Sequence, residues 1–162
     1  MIATESETGI GATLERIAGM PAYLQAAIDA APASALTARG EGDIFALVEQ
    51  ACHLRDVERE GYLVRVGRIL SEELPELAPF FGDVVARERG YLAQDARAAA
   101  REFAAARAEL VAVLAKVTPA QLARPALFGG ERITLARLVA MVAEHDAGHR
   151  EEIERLRATV AR

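Results

Sequence analysis

The chain has 162 residues, of which 52% are hydrophobic and 5% aromatic, and its formal net charge is -5. A chain of this length is typical of one domain with a sizeable core, so it needs no disulfide or metal staple to fold. The acidic balance and the scattered arginines argue against nucleic acid or an anionic membrane as a partner.

The sequence also predicts a cytoplasmic protein. Met1 to Gly9 carries acidic residues and lacks the basic and then apolar pattern of a secretion signal. The longest uncharged run, Ile17 to Ile28, is too short to cross a bilayer. The single cysteine, Cys52, excludes an internal disulfide and fits a reducing compartment, and we expect it to be a buried apolar residue.

Abundant alanine and leucine with few β-branched runs favour an all-helical fold. A first helix is predicted from about Ile10 to Ala31, with Gly19 and Pro21 expected to kink or break it. A second helix is predicted from Ile44 to about Ser71. Asp43 is a plausible N-cap for it, because a carboxylate there can accept hydrogen bonds from first-turn amides.

The second half of the chain begins with a proline-marked segment, Pro75 to Gly82, that predicts a long crossing. A third, alanine-rich helix is predicted between Asp83 and Lys116. Thr118 followed by proline is typical of a helix start, so one short helical turn is predicted from Pro119 to Ala123.

The chain is predicted to end with a loop and a fourth helix. Gly129 and Gly130 mark the loop, and Thr134 can cap a helix that runs to about Thr159. We find no internal repeat or low-complexity tract. The prediction is therefore a single domain over residues 1–162.

Two of the three histidines lie on this fourth helix. His145 and His149 are four residues apart, so both imidazoles can reach one cation. Apolar residues recur around them at steps of three and four and place the pair on the core-facing stripe: Leu135, Leu138, Val142, Ile153 and Leu156. Two interpretations are open, namely hydrogen-bonded core histidines and metal ligands, the commonest shared role of paired imidazoles.

The third histidine, His53, lies away from the apolar stripe of the second helix. Its neighbours on that face are Glu49, Asp56 and Glu60. Polar neighbours usually indicate a solvated face, but a wet and acidic metal cleft would show the same pattern. From the residues alone, both a solvated histidine and a metal ligand remain open.

Three segments together resemble the DinB-like superfamily of damage-inducible, YfiT-like metalloenzymes. They are the stretch from Glu49 through His53 to Glu58, the Glu73 to Leu77 crossing, and the closing Gly130 to Arg157 segment with its two histidines. The resemblance covers nearly the whole chain, although only the histidine pattern is specific. It implies an all-α four-helix bundle with a long crossing between helices 2 and 3.

The resemblance further implies a divalent metal site with His53, His145 and His149 as ligands. Zinc and nickel are the expected ions, and three neutral imidazoles would leave coordination positions open for chemistry. Asp56 and Asp146, and less strongly Glu49, are candidates for carboxylates that orient the ligand imidazoles. The alternative for each is an ordinary surface acid, and no catalytic residue is identified.

Characterised members of this superfamily include thiol-dependent S-transferases and a thiol-dependent isomerase. A cation that coordinates sulfur holds it as thiolate at neutral pH and so creates a nucleophile. The resemblance therefore implies a metal-dependent transferase whose partners are a low-molecular-weight thiol and an electrophile, in a possible homodimer. The alternative is a non-catalytic helical protein, stress-associated, that binds a metal or a small molecule.

Two other metal sites fit the sequence less well. The segment from His145 to His149 resembles the zinc-protease helix, but aspartate replaces the catalytic glutamate and no later histidine completes the site. A di-iron bundle would need two paired Glu-x-x-His motifs. This chain offers only one related motif, Asp146 to His149.

Overall fold

Gly19 breaks the first helical segment, as the sequence predicts, in a computed structural model that describes residues 9–161. Helix α1 is Gly11–Ala18 and helix α2 is Met20–Ala30. Pro21 lies in the first turn of α2, where its missing N–H leaves no hydrogen bond unmade. The prediction about a secretion signal concerns Met1 to Gly9, of which the first eight residues lie outside the described residues.

The second helical segment follows a short 3-10 turn, Ala33–Ala35. It consists of α3, Leu47–Asp56, then a π-helical turn, Val57–Tyr62, and then α4, Leu63–Ser71. In the π-helical turn the backbone bonds run from i to i+5 instead of i to i+4. Every residue of α3 is buried.

The predicted start of this helix is wrong. Asp43 does not cap it, because Asp43 lies in a preceding turn with a φ of 62° and the helix begins only at Leu47. The carboxylate near the helix start is that of Glu49, whose Oε1 accepts a hydrogen bond from the backbone N–H of Ala46 at 3.1 Å. A side chain inside the first turn therefore satisfies the N–H of the residue that precedes the helix, and no described side chain caps the first-turn amides.

The crossing between the second and third bundle helices contains a short strand, β1, Glu76–Leu77. A separate helix α5, Gly82–Glu88, and a 3-10 turn, Tyr91–Ala93, then precede the long third helix α6, Ala96–Leu114. The predicted range for that helix thus contains two helices, divided where Gly90 takes a φ of 58°. Asp95 caps α6 by accepting from the Ala98 N–H at 2.8 Å.

The chain ends with α7, Pro119–Leu122, then strands β2, Pro125–Phe128, and β3, Glu131–Thr134, and finally α8, Leu135–Val160. The Thr118 and Thr134 caps are confirmed, since each side chain accepts from a first-turn amide. The loop at Gly129 and Gly130 joins a hairpin. Strand β2 pairs antiparallel with β3 and parallel with β1, with Glu76 opposite Leu127. This small sheet is an addition to the predicted all-helical fold.

Apolar side chains form two clusters, one towards each end of the bundle. One cluster joins α1, α4, α7, the hairpin and the start of α8, and the other joins α2, α3, the start of α6 and the end of α8. Buried and half-buried polar residues occupy the layer between the two clusters. This layer contains the three histidines and a group of charged residues around Arg107.

We call Arg107, Glu58 and Asp146 the Arg107 cluster. Arg107 donates to both Glu58 oxygens, at 2.8 and 2.9 Å, and to both Asp146 oxygens, at 2.6 and 3.0 Å. A further hydrogen bond of 2.8 Å reaches the Ile17 carbonyl. Since Ile17, Glu58, Arg107 and Asp146 lie on four different helical segments, the cluster links all four helices of the bundle.

Cys52 is buried, as predicted, and burial raises the pKa of its thiol to about 11. It therefore behaves as a small apolar residue rather than as a nucleophile. None of the helices in residues 9–161 combines the length with the apolarity that a bilayer crossing requires.

Candidate metal centre

His145 and His149 lie one turn apart on α8, between the two apolar clusters. Their ring centroids are 4.4 Å apart and their Nε2 atoms 3.1 Å apart. Both are on the stripe that also carries the buried Val142 and Ile153. The i, i+4 spacing therefore turns both imidazoles towards the same point inside the bundle.

His53 reaches the same point from α3. Its Nε2 lies 3.2 Å from that of His145, and its ring centroid is 4.8 Å from that of His149. The side chain is only 8% exposed, so the interpretation of His53 as a solvated histidine is wrong. All three potential ligand atoms lie within 4.8 Å of one another.

This geometry fits a divalent cation. Nitrogen ligands at about 2.0 to 2.1 Å from one ion are themselves separated by about 2.9 to 3.4 Å, depending on coordination number. The two Nε2 separations of 3.1 and 3.2 Å lie in this range. The Nδ1 atoms of His53 and His145 are buried and have no hydrogen-bond partner among the described residues, so the contacts of these two imidazoles with other nitrogen atoms are confined to the Nε2 side.

The imidazoles are neutral at physiological pH. Burial, and then the charge of His149, lowers the pKa of His53 to about 3. Burial together with the other two histidines lowers the pKa of His145 to about 2, and burial also lowers that of His149. Neutral imidazoles keep the lone pairs that a metal needs.

Gln50 fixes the orientation of His149. Its Oε1 accepts a hydrogen bond from His149 Nδ1 at 2.6 Å, which places the proton on Nδ1 and leaves Nε2 free as a ligand. The amide is held in turn, because its Nε2 donates to Glu152 Oε2 at 2.7 Å and to the Phe45 carbonyl at 3.2 Å. Sequence analysis missed Gln50, although it lies one turn before His53 on the same helix.

The carboxylates predicted to orient the imidazoles bind other groups. Glu49 pairs with Arg39 at 2.6 Å, and Asp146 pairs with Arg107. Asp56 accepts hydrogen bonds from Arg55, Arg89 and Tyr91. All three acids are buried, so the alternative of an ordinary surface acid does not describe them either.

Aromatic rings enclose the centre. Phe45 and Phe80 lie 5.8 and 6.0 Å from the His53 ring, and Tyr62 lies 5.9 Å from the His145 ring. The crossing segment also packs on His53 at Gly82, where a Cβ would come within 2.8 Å of the imidazole. Only glycine fits this contact without displacing the ring.

A family model identifies the family. The model of the DinB superfamily matches residues 16–153, which is most of the chain. The chain belongs to the DinB superfamily. The resemblance drawn from the histidine pattern and the crossing is thus confirmed.

One solved structure similar to this DinB superfamily protein is YfiT from Bacillus subtilis, described as a probable metal-dependent hydrolase with an unusual four-helix bundle topology. The superposition has a TM-score of 0.87 and covers 99% of this chain and 91% of that chain. The sequences are 20% identical, so the likeness confirms the four-helix-bundle fold and leaves the reaction open. No curated protein matches the sequence significantly.

Proposed function

We propose that this DinB superfamily protein is a divalent-metal-dependent enzyme with His53, His145 and His149 as the metal ligands. The observation that supports this most strongly is the convergence of the three Nε2 atoms. Three neutral nitrogen ligands suit zinc or nickel. Three protein ligands would also leave open positions on the ion, as in working sites.

We further propose that the reaction is the transfer of a low-molecular-weight thiol to an electrophile. A bound divalent cation holds a thiol as its thiolate at neutral pH. Among residues 9–161, the only carboxylate within 4.0 Å of a histidine nitrogen is Glu152, which lies 3.6 Å from His149 Nδ1 on the side away from the convergence point. The site therefore offers no carboxylate placed to deprotonate water. A thiol is far more acidic than water, so its deprotonation depends less on such a base.

The protein's own residues support this chemistry in two ways. Gln50 keeps the proton of His149 on Nδ1, so that Nε2 stays available. The rings of Phe45, Phe80 and Tyr62 keep bulk water away from the centre and strengthen electrostatic interactions inside it.

A second candidate is a metal-dependent hydrolase, in which water takes the place of the thiol. It is favoured by the description of YfiT, whose fold this chain shares. The two reactions would use the same ligands. They differ in the nucleophile, so a direct comparison of substrates separates them.

The metal is tested by elemental analysis of protein purified without a histidine tag. We expect close to one divalent ion per chain in the wild type and a sharp loss in His53→Ala, His145→Ala and His149→Ala. Far-ultraviolet circular dichroism should stay nearly unchanged, because the apolar clusters supply most of the stability. Phe80→Leu, which alters the wall without removing a ligand, is the matched control and should retain metal. Stoichiometric metal in His145→Ala would refute the site.

The chemistry is tested with glutathione, mycothiol and bacillithiol against epoxides, halogenated compounds and activated alkenes, and with a panel of esters and amides in the absence of thiol. We expect loss of free thiol with metal-loaded protein and not with chelated protein. Each thiol should also change the absorption spectrum of a cobalt-substituted site. Turnover of esters alone would favour the hydrolase, and no turnover with no spectral change would leave a non-catalytic bundle.

A further inference from the structure

Three arginines of residues 9–161 are buried, and one of them differs from the other two. Arg55, Arg65 and Arg107 are 9%, 6% and 1% exposed. Arg55 pairs with Asp56 at 2.7 Å, and Arg107 pairs with two carboxylates. No described carboxylate lies within salt-bridge distance of Arg65. A buried charge without a counter-ion is costly, so its retention calls for an explanation.

The Arg65 guanidinium is held in place but keeps free donors. Its Nη2 donates to the Ala78 carbonyl at 3.1 Å, whereas Nε is buried without any partner. The group lies between two rings, 4.6 Å from the centre of Phe128 and 5.5 Å from that of Tyr62. Burial lowers the pKa of Arg65, in contrast to Arg107, where the hydrogen bonds with Glu58 and Asp146 outweigh burial and raise it. Even so, a guanidinium stays charged at neutral pH.

Arg65 and the metal centre share the neighbour Tyr62. The Tyr62 ring that contacts its guanidinium also lies 5.9 Å from the His145 ring. Ala78, which accepts its hydrogen bond, belongs to the crossing segment that brings Phe80 and Gly82 against His53. Arg65 also contributes, after burial and the neighbouring imidazoles, to the lowered pKa of His145.

We propose that Arg65 is a specificity-determining residue that binds a carboxylate of the small molecule that reacts at the metal centre, a proposal that rests on the proposed function. The free donors of the guanidinium match a carboxylate. One unpaired cation in apolar surroundings balances one negative charge, and a phosphate dianion would leave a second charge buried without a partner. The preferred ligands are thus small organic acids, including thiols that carry a carboxylate.

The test compares a carboxylate thiol with its neutral amide. Cobalt-substituted protein is titrated with 3-mercaptopropionate and with 3-mercaptopropionamide, and the dissociation constants are read from the cobalt absorption spectrum. We expect the wild type to bind the acid about 10 to 100 times more tightly than the amide, as a charge-assisted hydrogen bond to a buried cation allows.

In Arg65→Met we expect this preference to fall to about 1 while amide affinity and cobalt content stay the same; Arg65→Lys should keep part of it. Arg59→Met, an exposed arginine of the same helical segment, is the matched control and should keep the full preference. If Arg65→Met loses helical structure, Arg65→Gln, which retains a donor for the Ala78 carbonyl, takes its place. An equal loss of acid and amide affinity would mean that Arg65 only holds the crossing segment in place, and would overturn the proposal.

A metal-free titration separates this proposal from the proposed function. Propionate and propionamide are titrated into metal-free wild type and Arg65→Met by calorimetry. If neither thiol changes the cobalt spectrum of the wild type, the thiol chemistry fails, and the propionate preference alone decides the role of Arg65. The assignment holds if either titration shows an acid preference that Arg65→Met abolishes, and it falls if neither does.

Discussion

The Arg107 cluster and the histidine centre occupy the same layer of the bundle but satisfy their polar atoms in opposite ways. Arg107 meets two carboxylates and a carbonyl, so its donors face acceptors. The histidine centre brings three Nε2 atoms together and leaves two Nδ1 atoms without partners. A closed polar network is a structural element, whereas the convergent and incomplete one is the arrangement that we propose a metal completes.

The protonation behaviour of the two regions differs for the same reason. Burial acts against the charged form in both. In the Arg107 cluster, hydrogen bonds with carboxylates reverse the effect and raise the pKa of Arg107. In the histidine centre no carboxylate of residues 9–161 lies within 4.0 Å of an Nε2 atom. The pKa values of His53 and His145 fall to about 3 and about 2.

The largest expected effect comes from opening the closed network. Arg107→Met should lower the free energy of unfolding by about 3 to 5 kcal/mol, because it leaves Glu58 and Asp146 buried without their cation. Urea denaturation followed by circular dichroism measures the loss. Arg59→Met, which removes an exposed pair with Glu102, should leave the midpoint nearly unchanged. A similar midpoint shift in both variants would contradict the distinction between the two kinds of pair.

Metal binding at the histidine centre should raise the free energy of unfolding, in contrast to the loss of Arg107. A metal that binds only the folded chain stabilises it by about 2.7 kcal/mol when the free ion is at 100 times its dissociation constant. Chelation should therefore lower the melting temperature of the wild type and leave that of His145→Ala unaltered. Scanning calorimetry with and without chelator checks this. A chelator effect of equal size in both proteins would place the stabilising metal elsewhere.

Gln50 should affect the metal more than the fold. Gln50→Leu removes the acceptor for His149 Nδ1 and should weaken metal affinity about 10- to 100-fold. Competition with a chromophoric chelator measures the change. Gln25→Leu, which alters an exposed amide paired with Asp29, is the control. Unchanged affinity in Gln50→Leu would show that the bundle alone orients the imidazole.

Asp56 is also part of a closed network of hydrogen bonds. Its replacement should have the smallest effect among these predictions, with a characteristic pH dependence of the free energy of unfolding. Burial alone would raise the pKa of Asp56, but its hydrogen bonds outweigh burial and lower it. These bonds come from Arg55, Tyr91 and Arg89. Asp56→Asn should therefore cost about 1 to 2 kcal/mol at neutral pH.

The sign of the pH dependence follows from the lowered pKa. The stabilisation is fully present above the unfolded pKa of about 3.9 and is lost as the pH falls through the lower folded value. Denaturation of wild type and variant at several pH values should give a constant difference above pH ~5 that shrinks below pH ~4. The metal content of Asp56→Asn should equal that of the wild type. A loss of metal would show that Asp56 helps to hold the metal ligands after all.

Several helix boundaries and the histidine pair could be predicted because they rest on local signals. The Thr118 and Thr134 caps, the break at Gly19 and the spacing of His145 and His149 are all encoded within a few residues. The burial of His53 could not be predicted from periodicity. Helix α3 is buried on every face, so its polar residues no longer indicate which side is solvated.

Other features depend on contacts distant in sequence. Strands β2 and β3 are too short to show an alternating pattern, and β1 forms only because the crossing passes beside β2. Asp43 fails as a cap because the connector turns at that residue, which its local sequence does not indicate. The carboxylates near the histidines bind arginines, and two of these arginines, Arg107 for Asp146 and Arg89 for Asp56, are distant in sequence.

The π-helical turn at Val57–Tyr62 changes the angular phase of the helix that carries His53 and Arg65. In a regular α-helix each residue advances by about 100°, so Arg65 would point about 120° away from His53. A π-turn accommodates about one extra residue within the helix, which reduces this angle to about 20°. The imidazole and the guanidinium therefore share one side of a single helix, about three helical turns apart. One residue between them adds length to the sequence without adding rotation.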